Sequence, residues 1–290
     1  MQTPCPAFTS YGQLSWLPFR VTAALGWVFG QLIAALPTSR RHIGDVNLRL
    51  CFPEKSPAER SRLLRSHFVA MVQMLLEYGY AWFASPERLR GLMKIEGLAH
   101  LKALDGQPVI LMMPHFTGLD LAGLRVSMET PVVSIYSRQK DAWLDEFFRT
   151  RRLRLGTGII FSRQQGTRSV IRALRDGYRL YYLPDQDFGH RDSVFVPFMG
   201  INAATITGLS RMAAVSGAAV LPCYPRRERD GYTLVIEAPL PDFPSADAAA
   251  DAARMNAVIE TQVRRQPHQY FWLHKRFKSR QPDEADFYAK

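Results

Sequence analysis

The sequence predicts an α/β fold: a mostly parallel central sheet flanked by helices, preceded by an N-terminal hydrophobic helix. Three observations carry this prediction. From residue 92 onward, short apolar runs alternate with longer helical stretches, the pattern of strands joined by crossover helices. The run Val109, Ile110, Leu111, Met112, Met113 holds no charge, as a strand buried on both faces requires, and Pro114 ends it by removing a ladder donor. Finally, 290 residues that are 47% hydrophobic can bury one large core, and no fixed-period repeat suggests a solenoid.

Taken in order, residues 1–40 read as a membrane-anchoring segment ahead of an α/β domain over 41–290. Residues 14–36 are mostly apolar, with Pro18 and Arg20 interrupting them. The unbroken part, 21–36, would make a helix about 24 Å long, short of the ~30 Å hydrocarbon core, so it spans a membrane only with help. Arg40 and Arg41 follow, which favours anionic headgroups on the cytosolic side, while Trp16 and Trp27 suit an interface. A buried core helix is the alternative. A cleaved signal peptide is disfavoured, because no basic residue precedes the apolar run.

Residues 41–54 form a short amphipathic piece ending in a Pro turn. Ser56 then opens a long helix with Glu59 in capping-box position, and Leu63, Leu64, Phe68, Met71, Val72 and Leu75 recur at helical spacing. Its aromatic tail, Tyr78, Tyr80, Trp82 and Phe83, reads as core or as an interfacial belt. Strands are expected at 93–96, 109–113, 132–136, 158–161, 180–183, 218–224 and 232–237. Helices are expected at 119–128, 142–155, 167–176, 205–216 and 246–265. In such a sheet, ligands belong beyond the carboxyl ends of the strands.

The formal net charge of +11 calls for an anionic partner, whether nucleic acid, anionic lipid or acidic protein. The three cysteines, Cys5, Cys51 and Cys223, have neither CxxC spacing nor an even-numbered framework, which excludes a zinc knuckle and a disulfide scaffold and fits a reducing compartment. Helix-turn-helix, zinc-finger and RNA-binding sheet signatures are absent, so nucleic acid is not the expected partner.

Five groups of residues could carry chemistry. His115 falls just past the strand ending at Pro114, and Asp120 in the first turn of the following helix. On one continuous helix the two would lie about 140° apart. With His115 in the turn, the carboxylate can fold back onto the imidazole, hold one tautomer and stabilise the imidazolium of a general base. The other reading is a strand-end His beside an ordinary capping Asp. Arg149, Arg151, Arg152 and Arg154, at a helix end, either complement the helix dipole or receive a phosphate or an acidic carrier protein. Asp185, Asp187 and His190 at another strand end read as a weak metal set, as turn aspartates, or with Asp185 positioning a basic group of the active site. The apolar segment 194–200 reads as core or as the wall of a channel for an aliphatic chain, and 267–278 interleaves aromatics with bases in a way that suits a headgroup layer or nucleic acid.

Four blocks in order, RRHIGDVNLRLCFPE, HFTGLD with its H-x4-D motif, PDQDFGHRDSVFVPFMG and PHQYFWLHKRFKSR, resemble the lipid A late acyltransferases, the lauroyl/myristoyl acyltransferases of lipopolysaccharide biosynthesis within the glycerolipid acyltransferase superfamily. The resemblance covers nearly the whole chain. It implies a glycerolipid acyltransferase-like α/β domain held on the cytoplasmic face of the bacterial inner membrane. The implied reaction moves a fatty acyl group from acyl carrier protein to a hydroxyl of a lipid A precursor, with no cofactor and no metal. By the same resemblance His115 is the catalytic base, Asp120 its acidic partner, and Arg152 and Asp185 an arginine and an aspartate important to the site; we expect Asp185 to orient Arg152. Arg149, Arg151, Arg154 and Arg163 are the substrate-binding candidates. Ser137, Arg138, Gln139, Lys140 and Asp141 depart from the Pro-containing stretch common in relatives. A lysophospholipid or other glycolipid acyltransferase using the same site is the alternative within enzymes, and a basic membrane- or nucleic-acid-binding protein the alternative outside them.

Overall fold

The computed structural model describes residues 11–282 and 284–289, so Cys5 and the first ten residues of the expected anchoring segment lie outside the described residues. Helix α1 (Phe19–Ala35) has 17 residues, about 26 Å. It lies along α3 (Pro57–Phe83), to which it turns Thr22, Gly26, Gly30 and Ala34, four apart and buried. The contact needs glycine. A Cβ on Gly30 would sit 2.5 Å from Cα of Val69, and one on Gly26 would sit 2.8 Å from Cα of Gln73. The opposite face leaves Trp27, Val28, Phe29 and Leu32 exposed, Leu32 by 62%. Among the described residues no single helix is long and apolar enough to cross a membrane. Helix α1 and α2 (Ser39–Cys51) pass that test only as a pair bent by 89°. Arg40 and Arg41, expected to reach headgroups, donate to the carbonyls of Leu273 and Ala34.

The predicted capping box is present. Ser56 Oγ accepts from the Glu59 N–H, and the Glu59 carboxylate accepts from the Ser56 N–H at 2.7 Å. Helix α3 and the short helix α4 (Pro86–Leu92) lead into β1 (Met93–Glu96), α5 (Leu98–Lys102) and β2 (Val109–Met112). There follow α6 (Leu119–Ser127), β3 (Val132–Tyr136), α7 (Ala142–Arg152), β4 (Gly158–Ser162), α8 (Thr167–Arg175) and β5 (Arg179–Tyr182). The chain continues through β6 (Ser193–Phe198), β7 (Ile201–Ile206), α9 (Gly208–Ser216), β8 (Ala219–Glu228), β9 (Gly231–Ile236) and α10 (Ala248–Arg265).

Among the described residues seven strands form one sheet in the order β1-β9-β8-β2-β5-β3-β4, antiparallel only between β8 and β9. Strand β2 is fully buried at its centre, as its uncharged run predicts. Alternation divides the core in two. Val109, Leu111 and Tyr181 pack with α6 and the end of α3, while Ile110, Met112 and Leu180 pack with α2, α8, α9 and α10.

The expected helix at 205–216 begins later, at Gly208. Thr205 and Ile206 instead complete an antiparallel hairpin in which β6 pairs with β7. Met199 and Gly200 turn it with φ of 53° and 80°, the left-handed pair a tight hairpin needs. Segment 194–200 is thus mainly one strand of a separate two-stranded hairpin, with Val196, Phe198 and Met199 buried. Pro197 masked it, because Pro argues against a strand unless the strand is at an edge.

Candidate functional site

Strands β2 and β5 are parallel neighbours in which Met112 is paired with Tyr182. Each chain then runs one residue further, meets a proline (Pro114, Pro184) and presents a polar side chain at the same height: His115 from β2 and Asp185 from β5. Their contact is a consequence of register. His115 Nδ1 is 2.7 Å from Asp185 Oδ1, and the His115 backbone N–H donates to Asp185 Oδ2 at 2.9 Å. The turn is clamped from the far end of the chain, where the Phe271 N–H donates to the His115 carbonyl and the Thr117 N–H to the Gln269 carbonyl.

The Asp185 side chain is 1% exposed and that of His115 is 20%. Burial alone would push the Asp185 carboxyl up. The His115 charge and the bonds to ring and backbone outweigh it and hold that carboxyl below its ordinary range. Such a carboxylate fixes the imidazole tautomer by accepting at Nδ1, which leaves Nε2 for a substrate proton. His274, nearby, is held down to about 4, first by burial and then by Lys278 and His115, so it stays neutral.

Asp120 is not the partner of His115. Its Oδ1 is 3.1 Å from Arg152 Nε, and its Oδ2 accepts from Tyr78 Oη at 2.8 Å. Helix α6 begins at Leu119, as expected; the Thr117 hydroxyl donates to the Gln269 side chain, and Gly118 takes the capping position of α6. Gly118 has φ 84°, and a Cβ there would lie 2.7 Å from the Tyr232 ring. The carboxylate therefore leaves the helix toward α7 and holds Arg152, whose guanidinium is raised above its usual value chiefly by the Asp120 charge. Asp185 does position a basic group, but that group is His115, not Arg152.

A cavity of about 720 Å³ opens beyond the strand ends, within the range of ligand sites, and His115, Asp120, Arg152 and Arg163 all line it. Arg163 stacks over the Phe188 ring at 4.2 Å. The other three substrate-binding candidates do not line the cavity. Arg149 pairs with Glu146 on the surface. Arg151 donates to the Trp82 carbonyl, and Arg154 to those of Ala81 and Tyr80. These last two donate to carbonyls in the last turn of α3, where cations are favoured.

Asp187 accepts from Gly189 and Ser279, the turn role read from the sequence, while the His190 ring lies beside Phe195. Among the described residues no three His, Cys, Asp or Glu are grouped to hold a metal. Cys51 and Cys223 are buried, and burial pushes both thiols up, away from nucleophile chemistry. Sequence reasoning missed Tyr78, which braces Asp120, and the His115–Asp185 contact itself. One signal was available: MMPH and YLPD both end an apolar run in Pro followed by a polar residue.

The family described as bacterial lipid A biosynthesis acyltransferase matches residues 11–279. The chain is 35% identical to the lipid A biosynthesis lauroyltransferase of Escherichia coli K12, over 91% of this chain and 87% of that protein. It is 34% identical to the palmitoleoyltransferase of the same organism, over 94% and 90%, and 32% identical to its myristoyltransferase, over 90% and 82%. Among solved structures, the 1-acyl-sn-glycerophosphate acyltransferase PlsC of Thermotoga maritima aligns with a TM-score of 0.39 at 14% identity, covering 85% of this chain and 98% of that one.

Proposed function

This chain belongs to the bacterial lipid A biosynthesis acyltransferase family, and from that premise we propose that it moves a fatty acyl group from an acyl carrier protein thioester to a hydroxyl of a lipid A precursor, with His115 as general base. The observation that carries the mechanism is the 2.7 Å contact of His115 Nδ1 with the buried Asp185 at the lip of the cavity. Nε2 takes the hydroxyl proton as the oxygen attacks the thioester carbonyl. The C–S bond then breaks, and the imidazolium returns the proton to the departing thiolate. Asp120 engages Nε of Arg152, leaving its two Nη groups for the oxyanion of the tetrahedral intermediate or for a phosphate.

The exposed apolar face of α1 supports seating on the cytoplasmic face of the bacterial inner membrane. A helix of 17 residues glued along α3 lies in the interface rather than across it.

The test is transfer by the purified protein, followed by mass spectrometry, with a lipid A precursor and a lysophospholipid offered side by side. Transfer to the lipid A precursor that collapses about 10²–10⁴-fold in His115→Ala is expected. Near-normal rates in that variant would reject the base, and preference for the lysophospholipid would reject the acceptor.

A further inference from the structure

The cavity wraps around β3 and the edge strand β4. Val132 and Ser134 point to the face under α6, and their partners in the register, Gly158 and Ile160, point the same way. Ile135 and Ile159 point to the other face, where the wall also carries Arg163, Arg191, Asp192 and Arg211. An alkyl chain laid against those charged groups would strip water from them with nothing in return. The α6 side carries one charged pair, Asp120 with Arg152, whose charges meet each other, and its wall is otherwise built from Gly123, Leu124, Val132, Leu153, Gly158 and Tyr181 with the hydroxyls of Ser127 and Ser134.

That side is also deep. Val132 and Gly158 begin their strands while Tyr136 and Ser162 end them, and all four line the cavity. From Val132 to Tyr136 is about 13 Å at ~3.3 Å per residue. An extended alkyl chain advances about 1.25 Å per carbon, given C–C bonds of ~1.5 Å at near-tetrahedral angles, so this depth takes roughly ten carbons below the strand ends.

The bottom is closed by particular groups. Leu153, which caps the C-terminus of α7, sits over Gly158, and its Cδ2 lies 2.9 Å from where a Cβ at that glycine would be. Beside it, Ser127 Oγ donates to the Leu124 and Leu155 carbonyls and ties α6 to the loop after α7. Across the crevice, a Cβ on Gly123 would stand 3.6 Å from the Tyr181 ring, ordinary contact distance, so the wall there is thin by choice of residue rather than by crowding.

We infer that the donor's acyl chain lies in the crevice between α6 and strands β3 and β4, and that Leu153 over Gly158 sets the chain length the enzyme accepts. This rests on the acyl-transfer reading above and adds to it the residues that measure the chain.

The experiment is a competition among carrier-bound thioesters from C10 to C18, with product masses giving relative kcat/KM, for wild type, Leu153→Ala, Gly123→Leu and Ile159→Ala. One methylene in or out of an apolar pocket is worth about tenfold or more. Leu153→Ala should therefore raise the ratio of a chain two carbons longer to the wild-type favourite by at least about tenfold. Gly123→Leu, which fills the opposite wall, should move the preference to shorter chains by a similar factor. Ile159→Ala, on the charged side, should leave the profile alone. Unchanged profiles in whichever of the first two variants turns over, or a shift in Ile159→Ala only, would overturn the placement. A wild-type protein inactive with every carrier thioester would overturn the donor reading itself, an outcome distinguishable from either of those.

Discussion

Replacing Asp185 by Asn keeps the shape of the side chain and removes its charge. The amide oxygen can still accept from the His115 backbone N–H, now 2.9 Å from Asp185 Oδ2, so the turn survives. The amide nitrogen then faces Nδ1 as a donor, which selects the tautomer with its proton on Nε2 and leaves no lone pair for the substrate hydroxyl. The lost charge-assisted bond costs about 1.5–3 kcal/mol, and the wrong tautomer adds to it. A fall in kcat of about 10³ is expected, about 4 kcal/mol at ~1.36 kcal/mol per tenfold, with KM for both substrates little changed. The assay is steady-state acyl transfer read by mass spectrometry, with thermal melts to show that the variant is folded. Activity of Asp185→Asn within tenfold of wild type would refute the assignment. So would a larger loss in Asp120→Asn than in Asp185→Asn, because that order belongs to the pairing suggested by the H-x4-D spacing.

Other consequences of the structure can be measured separately. Because the folded-state carboxyl of Asp185 lies below its ordinary value, the stability it contributes is present above the unfolded value of about 3.8 and is lost as pH falls through the folded one. Acid denaturation should accordingly be shallower in Asp185→Asn than in wild type. Arg151→Ala and Arg154→Ala should each lower stability by about 1–3 kcal/mol in urea titrations, by stranding carbonyls at the end of α3, without raising the donor KM. Arg149→Ala, which loses only an exposed ion pair, should cost about 0–1 kcal/mol. Gly30→Leu should destabilise by about 2–4 kcal/mol, since its Cβ would press on the Val69 backbone. Leu32→Glu, on the exposed face of α1, should leave the fold intact and abolish flotation with anionic vesicles, and continued flotation would refute the interfacial role of that face.

Much of the fold was legible because its signals are local. The strand at 109–113 declared itself by five uncharged residues and a proline, the capping box by Ser56 and Glu59, and the helix it opens by its apolar spacing. All of these depend on residues a few positions apart. The hairpin of β6 and β7 was not legible, since Pro197 contradicts a strand unless one knows that the strand has a free edge. The arginines at 149, 151, 152 and 154 looked equivalent in the sequence. Only the helix they end on and the helix they abut send one to Asp120, one to Glu146 and two to the carbonyls of α3.

The catalytic pair shows the same division most sharply. The sequence by itself determined that His115 would stand at the carboxyl end of a buried strand and Asp185 at that of another. It could not say that those strands are neighbours, because parallel strands pair through crossovers, and 70 residues separate the two side chains. Proximity in the chain argued for Asp120. The sheet order placed β5 beside β2, and a register of Met112 with Tyr182 brought the more distant carboxylate to the imidazole.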